Sequence, residues 1–250
     1  MAKNSTYLYG KNSVFERLVV DPESIKTIYM RDTFNASHII KLARSKGISC
    51  KKVREKELLK IKRADRIQGI VAEVGKFNYA DFNQLIAKPD KEKLTLIFLD
   101  DIKDPHNLGS ILRITACIGG LGIVIPRHSS CEINDTVMHV ASGGENYTPV
   151  AMVSNTLNAL TSAKKAGYWI AGTVVEGGDN IQKMGLPEPL ALVLGSEGEG
   201  IKPAIQKHLD MRVTLDMTGA KLSLNVAMAA AIFCYEINKQ KNILSANLSP

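Results

Sequence analysis

The sequence predicts an α/β protein in two parts, a small basic module followed by a larger domain built on a mainly parallel sheet. Two observations carry this prediction. From Leu94 onward, apolar strand-type runs alternate with helical patterns, which is typical of a parallel sheet with helices on both faces. The basic charge is confined to the first part: residues 1–93 contain 20 Lys and Arg against 11 Asp and Glu, whereas residues 94–250 contain 12 against 14.

The composition excludes several classes of protein. At 250 residues and 45% hydrophobic content, the chain can bury a substantial core. The longest apolar stretch, Val226–Tyr235, is too short to cross a bilayer, and the first residues lack the apolar core of a signal peptide, so we expect a cytoplasmic protein. The four cysteines contain no CxxC pair, which favours buried or inert thiols in a reducing compartment, and we expect no metal site.

Residues 7–75 are predicted to form a compact α/β module. Ser13 and Glu16 have the spacing of a capping box, which would start a helix at Ser13. Gly47 is placed as the stop of the second helix. The predicted elements are, in order, helix Ser13–Val20, strand Ser24–Met30, helix Asn35–Lys46, strand Ile48–Val53, helix Glu55–Ile61 and strand Gln68–Val74.

The charge of this module indicates a polyanionic partner, with a solvated lysine-rich surface as the alternative. Basic residues concentrate between Arg44 and Arg66, and few aromatic side chains lie among them. Stacking of bases on an aromatic platform is therefore not indicated, and contacts to phosphates and to the shape of folded RNA fit better. Arg63 and Arg66, close to Gly69, are the predicted contacts to the RNA backbone, with plain solvent exposure as the alternative.

Residues 76–93 are the predicted linker, with one short helical piece, and residues 94–250 are the second domain. The predicted strands of this domain are Leu94–Leu99, Ile123–Pro126, Val150–Val153, Tyr168–Thr173, Ala191–Leu194 and Arg212–Leu215. The predicted helices are Leu108–Ile118, Asn134–Ala141, Thr156–Lys165, Lys202–Gln206 and Asn225–Lys239. Ligands of such sheets bind beyond the carboxyl ends of the strands. The loops where a ligand is expected follow Leu99, Thr173, Leu194 and Leu215.

The first of these loops leads into a helix that carries an unusual arginine. Asn107 can cap this helix, and Gly109 in its first turn suggests a close approach of the backbone to another group. Arg113 lies six residues after Asn107, about 9 Å along the helix axis. A guanidinium among apolar neighbours needs a placed partner or a function. The simpler alternative is an ion pair with one of the preceding aspartates, Asp100, Asp101 or Asp104.

The two later loops carry carboxylates and hydroxyls rather than a nucleotide fingerprint. The loop Gly195–Gly200 has neither the spacing of a dinucleotide loop nor the GK[ST] of a Walker loop. Glu197 and Glu199 would repel phosphate, so a cationic or hydroxyl-rich ligand fits better. The last loop leads into an alanine-rich helix, which can be capped by Ser223 or Asn225 and can pack closely against a neighbour or a partner subunit.

Taken together, three segments resemble the motifs of the SpoU-type RNA ribose 2′-O-methyltransferases of the SPOUT superfamily, in the same order and at the same spacing. The segments are Asn107-x-Gly109-x-x-x-Arg113, Leu194-Gly195-Ser196-Glu197-Gly198-x-Gly200 and Leu222-Ser223-Leu224-Asn225-Val226-Ala227. The resemblance covers roughly residues 94–240 and includes Ser142-Gly143-Gly144. Asp216 departs from it, since the family usually has Pro there.

This resemblance implies a trefoil-knotted, parallel-sheet methyltransferase domain, S-adenosylmethionine as the methyl donor, and a homodimer with its active site near the subunit interface. It also implies that residues 1–75 are an L30e-like, RNA-binding α/β domain of the branch that methylates a guanosine of 23S ribosomal RNA. Methylation of tRNA by the same chemistry and a noncatalytic RNA-binding protein are the alternatives.

The resemblance also assigns roles to individual residues. Arg113 would contact the target ribose hydroxyl or its neighbouring phosphate, and it would orient the substrate rather than act as a base, because a guanidinium does not give up its proton in proteins. Asn107 and Glu197 would hold Arg113 or the ribose in place, and Ser223 and Asn225 would complete the pocket. The residues expected to contact the cofactor are Gly195, Leu215 and Leu224.

Overall fold

The computed structural model describes residues 6–64, 67–220 and 222–247, which form two sheets. In the four-stranded first sheet, with strand order β1-β4-β2-β3, β4 runs antiparallel to β1 and β2, and β2 runs parallel to β3. Its elements are β1 Thr6–Tyr9, α1 Lys11–Val20, β2 Ile25–Arg31, α2 Ser37–Ser45, β3 Cys50–Val53, α3 Glu55–Ile61 and β4 Ile70–Val74.

Two sequence predictions are wrong for the part of the chain built on this four-stranded sheet, which we call the first unit. The prediction omits strand β1, since its four residues show no clear alternation. The capping box at Ser13 does not form, because α1 begins two residues earlier at Lys11, after Gly10 at φ +93°. Ser13 is instead buried, and its hydroxyl donates to the Met138 carbonyl at 3.3 Å. A contact with the second unit, which is built on the seven-stranded sheet described next, has therefore replaced the local cap.

The second sheet has seven strands in the order β7-β6-β5-β10-β8-β11-β9, and every neighbouring pair is parallel. Its strands are β5 Thr95–Leu99, β6 Leu121–Pro126, β7 Val150–Val153, β8 Trp169–Thr173, β9 Asp179–Asn180, β10 Leu190–Leu194 and β11 Met211–Thr214. The helices around it are α4 Phe82–Ile86, α5 Pro105–Ile118, α6 Asp135–Ala141, α7 Thr156–Lys165, α8 Pro203–Gln206 and α9 Val226–Asn247. The parallel α/β architecture is confirmed, and the trefoil knot stays a prediction.

Helix α5 shows why local rules misplace helix ends. Asp104 caps it, since its carboxylate accepts from the His106 backbone N–H at 2.8 Å, so the prediction that Asn107 is the cap is wrong. The predicted close approach at Gly109 is confirmed: a Cβ there would lie 2.7 Å from the Val137 carbonyl oxygen of α6. Asn107 is thereby left free to point its side chain elsewhere.

Residues 76–93 pack on the edge of the second sheet. The Ala80 backbone N–H donates to the Val150 carbonyl at 2.8 Å, which extends the sheet beside β7. The Tyr79 hydroxyl accepts from the Ile133 backbone N–H at 2.9 Å. The stretch predicted as a linker is therefore tied to the second unit by hydrogen bonds. Along the part of the chain that the structure describes, no helix combines the length and hydrophobicity needed to cross a membrane.

The two units are joined by a packed polar interface. Arg17 of α1 lies 3.4 Å from the Glu145 carboxylate, and both side chains are buried. Burial raises the pKa of the Glu145 carboxyl, although the Arg17 cation opposes this shift. The Tyr9 and His139 rings stack at 4.1 Å between centroids. These contacts hold the first unit in a defined orientation against α6 and the turn that follows it.

Candidate active site

The structure brings together one residue from each of the three predicted motifs. The Glu197 carboxylate accepts from the Asn107 side-chain amide at 3.1 Å and from the Asn225 amide at 2.5 Å. The Asn225 amide also donates to the Asn107 side-chain carbonyl at 3.0 Å. We call these three residues the motif cluster. It joins segments that are far apart in the sequence.

Each member of the motif cluster is positioned by a different element. Asn107 lies in the first turn of α5, and Glu197 lies in the loop after β10. Asn225 caps α9, because its side-chain oxygen accepts from the Ala227 N–H at 2.9 Å and its backbone carbonyl accepts from Ala229. The cap predicted as either Ser223 or Asn225 is therefore Asn225. Its remaining amide donor is free to bind the carboxylate.

A pocket opens beside the motif cluster, at the carboxyl ends of β8, β10 and β11. All three residues predicted to contact the cofactor line it, and Ser223 and Glu197 lie at its wall. Most of the other lining side chains are apolar. Among them, Leu194 and Val226 belong to the quoted motifs, and Thr173, which also lines the pocket, ends a predicted strand. The lining residues that the sequence did not indicate individually include Val174, Val175, Met217, Ala229 and Phe233.

The glycine loop after β10 closes tightly on itself. The Ser196 N–H donates to the Gly200 carbonyl at 3.2 Å, and the Gly200 N–H donates back at 3.0 Å. A Cβ on Gly195 would lie 2.2 Å from the Gly200 carbonyl carbon, so no side chain fits there. The loop therefore presents backbone to the pocket, with the Glu197 carboxylate at its edge. This arrangement suits a ligand with a flat, partly apolar body and a positive charge rather than a phosphate.

Asp216, where the family usually has Pro, lies between Leu215 and Met217, which both line this pocket. Its carboxylate accepts from the Lys183 ammonium at 2.7 Å, and hydrogen bonds from Lys183 and then Asn180 lower the pKa of the Asp216 carboxyl. The negative charge of Asp216 is thus paired with the Lys183 ammonium, beside the pocket. Ser223 is exposed and makes no hydrogen bond with the residues that the structure describes.

Arg113 lies away from the motif cluster. Six residues of α-helix rotate its side chain about 120° from that of Asn107. Arg113 is exposed, lines a different cleft, and makes no hydrogen bond or ion pair with any described residue. Within the described residues, Asn107 and Glu197 make no hydrogen bond with Arg113 of the same chain. Their expected role in holding Arg113 or the ribose, and the catalytic role of Arg113, stay predictions.

The simpler alternative for Arg113, an ion pair with a preceding aspartate, is wrong. Asp100 and Asp101 lie 3.2 and 3.5 Å from the Lys202 ammonium, and Asp104 is the cap of α5. Cys117, one turn further along α5, is exposed, so of the two predicted alternatives, a buried or an inert thiol, burial does not apply at this position. The apolar residues of α5 do not surround Arg113, because the helix face that carries Arg113 is exposed to solvent.

Arg63, the predicted RNA contact, is exposed and lines a cleft between the two units. The opposite wall of this cleft includes His106, the residue before Asn107, and His139 of α6. Arg63 makes no ion pair within the described ranges, and Arg66 lies outside the described residues. In the described parts of the chain, no group of three or more His, Cys, Asp or Glu side chains lies close enough to hold a metal ion.

A parallel sheet with a pocket at its strand ends and a polar cluster beside it is typical of an α/β protein that binds a small ligand. Comparison with known families narrows this class to one family. Residues 94–235 match the SpoU rRNA Methylase family, and residues 7–80 match the family described as RNA 2′-O ribose methyltransferase substrate binding. The chain belongs to the SpoU rRNA Methylase family, and it is an RNA methyltransferase of that family.

Individual relatives match along nearly the whole chain. The chain is 34% identical over 246 residues to YacO of Bacillus subtilis, named as a TrmH-family tRNA/rRNA methyltransferase, covering 97% of this chain and 98% of the relative. It is 33% identical over 241 residues to the 23S rRNA (guanosine-2′-O-)-methyltransferase RlmB of Nitrosomonas europaea, covering 95% and 92%. The fold is similar to that of the SpoU methyltransferase AviRb of Streptomyces viridochromogenes in complex with AdoMet, with TM-score 0.79 at 20% identity, covering 96% and 92%.

Proposed function

We propose that this protein transfers a methyl group from S-adenosylmethionine to the ribose 2′-hydroxyl of a guanosine in 23S ribosomal RNA, in the cytoplasm. The observation that carries the proposal is the motif cluster, in which Glu197 joins Asn107 and Asn225 at the edge of the strand-end pocket. The cluster supplies amide and carboxylate groups where a ribose can be held, and the pocket beside it suits the methyl donor.

The residues of the pocket fit this cofactor. The closed loop at Gly195 leaves backbone groups for polar edges of an adenosine, and Leu215 and Leu224 supply apolar contact. The Glu197 carboxylate favours a cationic ligand over a phosphate. When bound, S-adenosylmethionine supplies an activated methyl group on a positively charged sulfur. The protein must then mainly align the acceptor oxygen, for which good positioning is worth several kcal/mol and up to roughly 10.

Arg113 is proposed to act on the acceptor side. Its guanidinium donates to the ribose 2′-oxygen or to the adjacent phosphate and stabilises the negative charge that develops on the 2′-oxygen as its proton leaves. The hydroxyl proton passes to a phosphate oxygen or to water, because a guanidinium holds its own proton. Asn107 and Asn225, held by Glu197, fix the ribose.

Ribosomal RNA is proposed over tRNA because of the first unit. This unit carries the excess basic charge and matches the RNA 2′-O ribose methyltransferase substrate-binding family over residues 7–80. The relative RlmB, which also aligns over nearly its whole length, is named as a 23S rRNA guanosine enzyme. A separate basic unit suits recognition of a folded RNA by phosphate and shape contacts.

The test is methyl transfer from labelled S-adenosylmethionine into purified 23S rRNA and tRNA, with the modified nucleotide mapped by its resistance to alkaline cleavage. We expect one labelled guanosine in 23S rRNA. Label in tRNA alone would overturn the ribosomal assignment. Calorimetry with S-adenosylmethionine separates the enzyme from a noncatalytic RNA-binding protein, since the latter would bind RNA but release no heat with the cofactor.

Neutralising Arg63 is expected to weaken RNA binding and flatten its salt dependence. Each phosphate interaction that the substitution removes should reduce the slope of log K against log salt by about 0.7 to 0.9. The measurement is a titration of labelled RNA with Arg63→Gln at several salt concentrations, followed by the Arg63→Gln/Arg66→Gln double variant. Arg212→Gln, an exposed arginine on β11, is the matched control. An unchanged slope in both variants would place the RNA elsewhere on the protein.

A homodimer is proposed on two grounds. Arg113 is remote from the motif cluster of its own chain, so a second copy is needed if both are to act on one ribose. The outer face of α9 also exposes an apolar stripe at helical spacing, formed by Met228, Ile232 and Tyr235. Burial of this stripe against a symmetric copy would let Arg113 of one protomer serve the pocket of its partner.

Placing a charge in this stripe is expected to separate the dimer. Ile232→Glu would bury an unpaired carboxylate in the proposed interface, so the variant should be a monomer with little methyltransferase activity. Light scattering coupled to gel filtration measures the mass. Val19→Glu, at an exposed apolar position on α1, is the control. A wild-type protein that is monomeric at micromolar concentration would refute the homodimer.

A further inference from the structure

A second cleft, separate from the cofactor pocket, contains Arg113 beside residues of the first unit. Asn12 and Glu16 of α1 and Tyr147 of the turn after α6 line it together with Arg113. We propose that this cleft holds the target nucleotide, and that the Glu16 carboxylate selects guanine by accepting hydrogen bonds from its N1–H and 2-amino groups. The inference rests on the proposed function, because it takes a guanosine as the target.

Two glycines bring Glu16 and Arg113 to the same cleft. Gly143 has φ +98°, and a Cβ there would lie 2.4 Å from the Glu16 Cβ. A Cβ on Gly144 would lie 3.1 Å from the Arg113 Cα. The turn therefore contacts α1 on one side and α5 on the other through bare backbone. One nucleotide lying across this turn can reach both side chains.

The two charged groups in the cleft are not neutralised by each other. The Tyr147 hydroxyl donates to Glu16 Oε2 at 2.5 Å, which orients the carboxylate. That hydrogen bond raises the pKa of the Tyr147 hydroxyl, which keeps it protonated as the donor. Among the described residues, Arg113 forms no ion pair with Glu16 or any other acid. An oriented acceptor and an available cation thus share one cleft.

The chemistry of the carboxylate favours guanine among the four bases. A carboxylate repels phosphate, so its contact with RNA must be a donor, either a ribose hydroxyl or a base N–H, and only a base donor distinguishes one nucleotide from another. The Watson–Crick edge of guanine places two donors side by side, which match the two carboxylate oxygens. Adenine and cytosine place an acceptor nitrogen next to their amino group, and uracil flanks its single N–H with carbonyls. These edges would face Glu16 with an acceptor and be disfavoured.

The rest of the cleft fits the remainder of a nucleotide. Tyr147 is 53% exposed, so its ring offers a face on which an unstacked base can lie. Arg113 is available for the ribose oxygen or the phosphate. Asn12 is exposed and adds an amide that can donate to a carbonyl such as guanine O6. Base, sugar and phosphate each meet a group of suitable chemistry.

The experiment uses RNA fragments that differ only at the mapped target, which is guanosine, inosine or adenosine. Inosine lacks the 2-amino group, so the wild-type enzyme should prefer guanosine to inosine in kcat/KM. Glu16→Gln should lower kcat/KM on guanosine by about tenfold, the usual worth of a charge-assisted hydrogen bond, and change it much less on inosine. The guanosine-to-inosine ratio should therefore fall toward one.

Two further variants keep the test independent of folding. Tyr147→Phe keeps the ring but releases the carboxylate, so it should lower the same ratio while retaining cofactor binding. Glu23→Gln, at an exposed carboxylate of the first unit outside the cleft, should leave the ratio unchanged. The thermal midpoint of each variant checks that the units remain packed.

Each outcome decides a separate point. A guanosine target with a wild-type ratio in Glu16→Gln would overturn this inference and leave the proposed function intact. Equal losses on guanosine and inosine would also overturn it, because Glu16 would then only join the two units. A mapped target other than guanosine would contradict the proposed function and this inference together.

Discussion

Arg113→Ala is expected to lower methyl transfer to RNA by about 100-fold to 1,000-fold, the usual cost of removing one donor to a developing oxyanion. Folding, cofactor binding and RNA binding should be retained, because Arg113 is exposed and forms no hydrogen bond or ion pair with the described residues. Single-turnover transfer of a labelled methyl group measures the chemical step, and calorimetry measures cofactor binding.

Two further variants test whether this loss of activity is specific to the guanidinium of Arg113. Arg113→Lys should restore little activity, because an ammonium lacks the planar fork that reaches a ribose oxygen and a phosphate at once. Arg212→Ala removes an equal charge from β11 and should leave turnover within about twofold, as surface substitutions away from a site usually do. Turnover within tenfold of wild type in Arg113→Ala would remove this residue from the mechanism.

Glu197→Ala is expected to reduce methyl transfer by about 100-fold, because the variant lacks two hydrogen bonds to a charged group. The Asn107 and Asn225 amides would no longer be held by a common acceptor at the pocket edge. Stability should change little, since Glu197 is exposed. Steady-state kinetics should show most of the reduction in kcat, with a smaller rise in the KM for S-adenosylmethionine, because Glu197 also lines the cofactor pocket.

The same loop supplies a matched control. Glu199, two residues later, is exposed and makes no hydrogen bond within the described residues, so Glu199→Ala should keep nearly full activity. Glu197→Gln retains one acceptor oxygen and should recover part of the activity. If Glu197→Ala and Glu199→Ala behave alike, the motif cluster has no part in the reaction.

Mixing the two inactive variants tests where the active site is assembled. In a heterodimer of Arg113→Ala and Glu197→Ala, one site would combine an intact Arg113 with an intact motif cluster if the residues act across the interface. Random pairing of equal amounts should then restore about a quarter of wild-type activity in a symmetric dimer. No recovery on mixing, under conditions where the subunits exchange, would mean that each chain uses its own arginine.

Much of the site was predictable because its signals are local. The loops after β8, β10 and β11 follow from alternating apolar runs, and Gly195, Leu215 and Leu224 fall in them by motif position. A pocket lies at these strand ends, and the three residues line it. The misplaced caps at Ser13 and Asn107 have a different cause. Each helix begins earlier than predicted, and the two side chains contact Met138 and Glu197, which are remote in sequence.

The sequence by itself determined the α/β class, the three motifs and the basic character of the first unit, because periodicity, spacing and charge are properties of neighbouring residues. Only the tertiary structure decided which motif residues meet. Asn107, Glu197 and Asn225 converge through hydrogen bonds between distant loops, whereas Arg113 is turned away by the geometry of its own helix. The same packing places Glu16 in the cleft that contains Arg113. Helices α1 and α5 both pack against the turn at Gly143 and Gly144, and they can do so only because these two residues have no side chain.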